Sequence, residues 1–171
     1  MSEEKKKEGK NWTETVLLVV VFAVVFAAMF FLSKGAGQKE TTIDGLRIIF
    51  AGNAKEELAG ALASHTIVVE ERLVNASDPR NSAVAVMAAE AAHSLYVSNK
   101  TVYVYGVVDG VPTINCNANT TNCTGAQVVV EISNCDCVRV SDRIYVSGGT
   151  DFMLRNAQKV GSLFAYVLSE N

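Results

Sequence analysis

The feature that most constrains this chain is an uncharged run over residues 15–32 (TVLLVVVFAVVFAAMFFL), in which every residue except Thr15 is apolar. At about 1.5 Å of rise per residue, a helix of this length reaches about 27 Å, close to the ~30 Å hydrocarbon thickness of a bilayer. Trp12 precedes the run and suits the membrane interface, because its ring prefers apolar surroundings while its N–H stays hydrated. We therefore expect a single transmembrane helix over residues 15–33, inserted in the lipid bilayer.

The lysines around this run predict its orientation. Residues 5–7 and Lys10 place four lysines before it, whereas Lys34 and Lys39 follow it closely. Because positive charge is enriched on the cytoplasmic side, we expect residues 1–14 to be cytoplasmic and the C-terminal domain to lie outside the cell membrane. The run is longer than the core of a cleavable signal peptide, which favours an uncleaved signal anchor.

A second reading of the same region comes from Gly9. If the chain were cleaved between Gly9 and Lys10, Glu14 would become the fifth residue of the mature chain, just before the apolar run. This arrangement resembles the leader of type IV pilins and implies a subunit of a surface filament. Residues 10–13 are polar where that pattern is usually apolar, and Gly35 interrupts the helix early. The pilin-like subunit stays as the alternative to a signal anchor.

Composition narrows the class of protein further. The chain is 49% hydrophobic and only 19% charged, whereas a soluble domain carries about 25% charged residues. The apolar run accounts for the low charged fraction. The composition as a whole excludes disordered, collagen-like and polytopic membrane chains. Residues 34–42 (KGAGQKETT) read as a flexible linker, and residues 43–171 are long enough for one packed domain. With a net charge of −3, the chain is not expected to bind nucleic acid.

Strand and helix patterns alternate along the domain and predict an α/β fold, a mixed sheet with about three packed helices. Strands are predicted over residues 46–50, 66–73, 101–108, 111–114, 127–132, 137–140 and 143–147, and helices over 54–63, 82–97 and from 150 onwards. The strand–helix–strand order of the first half favours parallel pairing through right-handed crossovers.

Several turn and cap residues support these boundaries. Asp109-Gly110 is typical of a tight hairpin, and Ser141-Asp142 of a two-residue turn. We expect Asn81 or Ser82 to cap the second helix, and Thr150 the last. On the last helix an apolar stripe recurs every three or four residues, which predicts that it packs on the sheet. The stripe consists of Met153, Ala157, Val160, Phe164 and Val167.

All four cysteines lie close together, at Cys116, Cys123, Cys135 and Cys137. An even number in an external domain predicts two disulfides. On an extended chain the Cα atoms of Cys135 and Cys137 would be about 6.5–7 Å apart, the limit for a bridge. We therefore expect each of these two to pair with Cys116 or Cys123. The spacing matches neither paired zinc ligands nor a C-x-x-C redox motif, so no metal is expected.

Four Asn-x-Ser/Thr sequons are candidates for N-glycosylation, at Asn75, Asn99, Asn119 and Asn122. The last two overlap within the cysteine loop and predict that this loop is exposed. Sequons are modified in archaeal and eukaryotic hosts, and the absence of a eukaryotic-style modular cysteine pattern favours a glycoprotein of archaeal type.

Residues for catalysis are hard to identify. Glu90 and His93 share a helix face, a pattern more typical of a solvated surface than of an acid–base pair. Glu70 and Glu71 point to opposite sides of a strand. The glycine turns at residues 51–53 and 147–150 precede helices and are where an anion would bind, but neither matches a phosphate-binding motif. We expect no catalytic or cofactor-binding residues and favour a binding or assembly domain with a protein partner at the membrane surface. A membrane-tethered enzyme remains an alternative.

Overall fold

The computed structural model describes residues 15–22, 24, 37–113 and 125–170. The chain divides into two compact units, Met1–Gly37 and Gln38–Asn171. In the first unit residues 15–22 and 24 are helical. No helix among the described residues has the length and apolarity needed to cross a bilayer. The transmembrane helix predicted over residues 15–33 extends into residues 25–33, which lie outside the described part.

The second unit is a mixed α/β fold, as predicted, with an eight-stranded sheet. In the part of the chain that the structure describes, three helices pack against one face of this sheet and form a single apolar core with it. The strands are β1 Lys39–Ile43, β2 Leu46–Phe50, β3 Thr66–Leu73, β4 Thr101–Val108, β5 Val111–Thr113, β6 Val128–Ile132, β7 Cys137–Val140 and β8 Ile144–Gly148. The helices are α1 Ala54–Ala61, α2 Asn81–Val97 and α3 Thr150–Ser169.

The order of strands in the sheet is β1-β2-β7-β8-β6-β3-β4-β5. Strands β3 and β4 are parallel neighbours joined by α2, which confirms the predicted parallel pairing for these two strands. The prediction of parallel pairing was wrong for β2 and β3. β2 pairs with β7 instead, and β7, β8 and β6 separate it from β3. The antiparallel step from β7 to β8 also reverses the direction of β2 relative to β3.

The core lies between the sheet and the helices. The sheet contributes alternate residues of its central strands, among them Ile67 and Val69 of β3, which are fully buried. The predicted stripe of α3 is confirmed, since all five of its members are buried in this core. A Gly-containing contact joins α2 and α3: a Cβ on Gly161 would lie 3.2 Å from the carbonyl oxygen of Glu90 and would collide with the Ser94 hydroxyl.

Two hairpins at opposite edges of the sheet use the same turn. Asp109-Gly110 joins β4 to β5 as predicted, with φ of 51° and 78°. Asp44-Gly45, with φ of 51° and 76°, joins β1 to β2 in the same way. The predicted linker over residues 34–42 is wrong for residues 39–42, because these residues form most of β1. The Asp-Gly pair at 44–45 was the signal for this strand.

The helix caps also differ from the prediction. Arg80 occupies the cap position of α2, and its side chain makes no cap hydrogen bond. Asn81 instead accepts a hydrogen bond from the Val74 N–H at 3.0 Å, so it holds the preceding loop. α3 begins at Thr150, but Gly149 is its cap residue.

Candidate functional site

The sheet face opposite the helices, which we call the outer face, carries a cluster of polar side chains. We define this polar cluster as Glu70, Arg72, Tyr105, Glu131 and Ser147. The strand register brings them together, because partners on neighbouring strands point to the same face. Glu70 lies beside Tyr105, Arg72 lies beside Glu131, and Glu131 lies beside Ser147.

Arg72 bridges the two carboxylates of the polar cluster. Its Nε donates to Glu70 Oε1 at 2.7 Å, and its Nη1 donates to Glu131 Oε2 at 3.0 Å. The other oxygens accept hydroxyl protons, from Tyr105 to Glu70 Oε2 at 2.9 Å and from Ser147 to Glu131 Oε1 at 3.0 Å. Glu70 is only 7% exposed, so these bonds are screened weakly by water.

The surroundings fix the protonation of two members of the polar cluster. Burial, followed by the hydrogen bond to Glu70, raises the pKa of Tyr105 to about 12. The hydrogen bond to Glu70 is the largest cause that raises the pKa of Arg72, and Glu131 adds to it. Tyr105 therefore remains a neutral hydrogen-bond donor, and Arg72 remains a cation. The Cζ atoms of Arg72 and Arg139 lie 5.8 Å and 5.0 Å from the centroid of the Tyr145 ring, where cation–π attraction operates.

The polar cluster is arranged for rigid recognition rather than for chemistry. Among the described residues, no buried side-chain nitrogen or oxygen lacks a hydrogen-bond partner. The Ser147 hydroxyl donates to a carboxylate that is also bound by Arg72, and no histidine lies in the cluster. A satisfied network of this kind holds strands together and presents fixed donors and acceptors.

A cavity of about 500 Å³ opens beside the polar cluster, at the carboxyl ends of β3 and β4. Glu70, Arg72 and Tyr105 line its polar wall. The β4–β5 hairpin closes the other side. In α/β sheets this edge of parallel strands is the usual place for a ligand. The remaining lining residues are Leu73, Val107, Asp109, Gly110 and Pro112.

Sequence reasoning singled out Glu70 but missed Arg72, Tyr105, Glu131 and Ser147 as its partners. The available signal was the Glu70-x-Arg72 pair on one face of an otherwise apolar strand. A central parallel strand is normally apolar on both faces, so two charges on one face indicate partners on the neighbouring strands. The prediction that Glu70 and Glu71 cannot act together is consistent with the strand. Glu71 points to the helix side, where burial raises its pKa.

The first glycine turn before a helix is occupied by the protein itself. Asn53 caps α1 by accepting from the N–H groups of Lys55 and Glu56, at 3.1 and 3.4 Å. The Glu57 carboxylate accepts from Ala51 N–H at 3.1 Å and from Gly52 N–H. An internal carboxylate thus takes the position where an external anion would bind.

The second turn is filled in the same way. Asp136 Oδ1 accepts from the Gly149 N–H at 2.8 Å, just before α3. A Cβ on Gly148 would collide with the Phe152 ring, so the backbone and this side chain are packed in contact. These turns were the predicted place for a small-molecule site. The structure instead opens a cavity on the outer face.

The structure places Cys135 beside Cys137, whereas the sequence predicts that each of them pairs with Cys116 or Cys123, and that pairing stays a prediction. Their Cα atoms are 5.2 Å apart, closer than on an extended chain. The reason is Asp136 between them, whose φ of 47° folds the chain back. Cys116 and Cys123 lie outside the described residues.

Two of the four sequons, at Asn75 and Asn99, lie among the described residues. Asn75 is exposed, and its Oδ1 accepts from both the backbone N–H and the hydroxyl of Ser77, at 3.0 and 3.2 Å. Asn99 is exposed at the end of α2 with a φ of 63°. Asn119 and Asn122 lie outside the described residues. Glycosylation of all four stays a prediction.

The other candidate residues are not brought together. His93 is exposed on α2, and neither it nor the half-buried Glu90 has a hydrogen-bond or ion-pair partner among the described residues. His65 lies elsewhere, with Nε2 at 3.4 Å from Thr101 Oγ1. Within residues 37–113 and 125–170, no group of three or more His, Cys, Asp or Glu side chains is placed to hold a metal ion. The chain matches no protein-family model, no curated protein and no solved structure.

Proposed function

We propose that this protein is a single-pass membrane protein, anchored by residues 15–33, whose domain acts outside the membrane as a binding or assembly module. The observation that carries the binding role is the cavity on the outer face, walled by the rigid polar cluster. The apolar run and the lysines before it support the anchor and its orientation.

The residues at the cavity favour a partner with basic groups. The Asp109 carboxylate is exposed at the rim and has no ion-pair partner among the described residues. Glu70 forms part of the wall, and each of its carboxylate oxygens can accept a further hydrogen bond beyond those from Arg72 and Tyr105. A lysine or arginine side chain of a protein partner supplies donors of the right charge. The Ser147 hydroxyl in the polar cluster faces a carboxylate that Arg72 already binds, so binding is favoured over catalysis.

The anchor is tested with the full chain in native membranes. We expect the protein to stay in the membrane after an alkaline wash, with the domain digested by protease added outside. A chain released by the wash would contradict the anchor. The mass of the mature protein separates the two readings of the N-terminus, because a signal anchor retains the residues before Lys10 and a pilin-like subunit begins at Lys10.

The cavity is tested by two matched substitutions, Asp109→Asn and Asp44→Asn. Both residues occupy the first turn position of an Asp-Gly hairpin with a φ of 51°, and asparagine tolerates that conformation. Only Asp109 lines the cavity. We expect Asp109→Asn to reduce co-purification of the partner from native membranes, and Asp44→Asn to leave it unchanged. Equal recovery with both variants would contradict a role for the cavity.

A further inference from the structure

Helix α2 differs from the other two helices in the face that it exposes. The exposed side chains of α1 include Lys55 and Glu56, and those of α3 include Arg155 and Lys159, as expected for solvated surfaces. The exposed side chains of α2 contain no Lys, Arg, Asp or Glu, and at about 100° per residue they share one arc of the helix. We call this arc the α2 face, and it consists of Ser82, Ala85, Val86, Ala89, His93, Tyr96 and Val97.

Uncharged faces on both sides of a helix are typical of a helix that is covered on both sides. The opposite arc of α2 is buried against the core. On the α2 face, by contrast, Tyr96 is 70% exposed and Val97 is 62% exposed. The α2 face is therefore a surface whose composition suits a buried contact.

The side chains of the α2 face are smaller before Ala89 and larger after it. Ser82 precedes Ala89 by the same number of residues as Tyr96 follows it, and Ala85 and His93 are likewise equidistant from it. A two-fold axis at Ala89 thus places each Tyr96 against a Ser82 of the other copy, large against small. A parallel pair would instead set Tyr96 against Tyr96.

The ends of α2 favour the same arrangement. The helix has no acidic residue in its first turn and no basic residue in its last turn. Its own side chains therefore do not offset the partial charges of its helix dipole. In an antiparallel pair, the positive N-terminus of each helix lies beside the negative C-terminus of the other, which is the favourable electrostatic arrangement.

We propose that the α2 face binds the α2 face of a second copy of this chain, antiparallel about Ala89. A helix of 17 residues is about 25 Å long and about 10 Å wide, so its footprint is on the order of 250 Å². This is well below the ~800 Å² per partner of a stable solution dimer. The pairing therefore rests on the proposed anchor, because copies held in one bilayer meet at high effective concentration.

The test uses cysteine cross-linking of the full chain in lipid vesicles, under mild oxidation. Ala89→Cys is expected to form a covalent dimer, whereas Ser162→Cys, on the exposed face of α3, is the matched control and is expected to remain monomeric. Ala85→Cys alone is expected not to cross-link, because two antiparallel copies place these residues about 12 Å apart, beyond disulfide reach. A mixture of Ala85→Cys and His93→Cys chains is expected to cross-link.

Each outcome decides the proposal. Dimer formation by Ala85→Cys alone would overturn the antiparallel arrangement, and equal yields from Ala89→Cys and Ser162→Cys would overturn the α2 face as the contact. Ala89→Arg tests the same exposed site without an added thiol. It is expected to convert the dimer in vesicles to a monomer, which lowers the mass of the assembled species by about half. Failure of the pairing leaves the chain membrane-bound, whereas failure of the anchor releases it from the vesicles, so the two are distinguishable.

Discussion

The hydroxyl of Tyr105 donates a hydrogen bond of 2.9 Å to Glu70, on the sheet face that carries no helix. The two residues lie opposite each other on the parallel strands β4 and β3, and both are less than 10% exposed, at 6% and 7%. This bond links the wall of the cavity to the centre of the sheet. The integrity of the polar cluster can therefore be measured through Tyr105.

We expect Tyr105→Phe to lower the free energy of unfolding by about 1–3 kcal/mol, because a buried carboxylate loses a hydrogen-bond donor. Tyr103→Phe is the matched control on the same strand. Its ring is 41% exposed, and its hydroxyl has no partner among the described residues, so we expect almost no change. Urea unfolding of the two variants checks this difference, and equal stability would contradict a role for the hydroxyl.

The same tyrosine predicts a loss of stability in alkali. Its pKa is raised to about 12 in the folded protein, first by burial and then by Glu70, against an ordinary value of 10.0. The folded state thus favours the protonated phenol. The stabilisation is complete below the ordinary pKa and is lost as the pH rises through the range up to about 12. Tyrosinate absorbance should show one late-titrating tyrosine that is missing in Tyr105→Phe. A titration unchanged by that substitution would refute the assignment.

Glu71 should respond to pH in the opposite sense to a paired carboxylate. It is half-buried on the helix side of β3, and burial raises its pKa above the ordinary value of 4.5. Ionisation therefore costs stability in the folded state at neutral pH, and this cost disappears below the ordinary pKa. We expect Glu71→Gln to stabilise the domain at neutral pH and to make little difference in acid. Thermal unfolding at both pH values measures the effect, and a destabilised variant at neutral pH would disprove it.

Two glycine-to-alanine substitutions in helices should have opposite effects. On Gly60 of α1 a Cβ meets no atom within 4 Å, so Gly60→Ala should stabilise by up to about 1 kcal/mol through helix propensity. On Gly161 a Cβ would crowd Ser94 and the Glu90 carbonyl. The Ser94 hydroxyl can rotate, but the carbonyl belongs to the backbone of α2. Gly161→Ala should therefore lower the melting temperature, and a rise like that of Gly60→Ala would contradict close contact between α2 and α3.

The cysteine pairing can be determined by protease digestion without reductant. Glu131 lies between the two pairs of cysteines in the sequence. After denaturation without reductant, a protease specific for glutamate should therefore release the fragment with Cys135 and Cys137 from the fragment with Cys116 and Cys123. Mass spectrometry should find the first fragment two hydrogens lighter than its reduced form. Fragments that stay joined until reductant is added would instead confirm the pairing expected from the sequence.

Local patterns were sufficient for the elements that depend on neighbours in the chain. The spacing of apolar residues identified α3 and its buried stripe, and Asp109-Gly110 identified a hairpin. The same pattern is present at Asp44-Gly45, but residues 39–42 before it were assigned to the linker, because this short polar strand has no apolar alternation. Such a strand forms only when β2 offers it an edge.

Contacts between distant residues decided the rest. The insertion of β7 and β8 between β2 and β6 follows from how their apolar residues fill the core, which no local pattern encodes. The polar cluster depends on register between strands whose members are up to 59 residues apart, as in the bond from Arg72 to Glu131. The turns that precede α1 and α3 looked open in the sequence, and only folding brought Glu57 and Asp136 to their N–H groups.

By itself, the sequence determined the α/β class, most of the strands and helices, and the apolar run that predicts an anchor. It did so because periodicity and turn chemistry act over a few residues. Only the tertiary structure decided the strand order, the close approach of Cys135 and Cys137, and the place of a cavity beside Glu70 and Arg72. Each of these depends on which surfaces meet when the chain is packed, and on backbone conformations, such as that of Asp136, which the surrounding contacts hold in place.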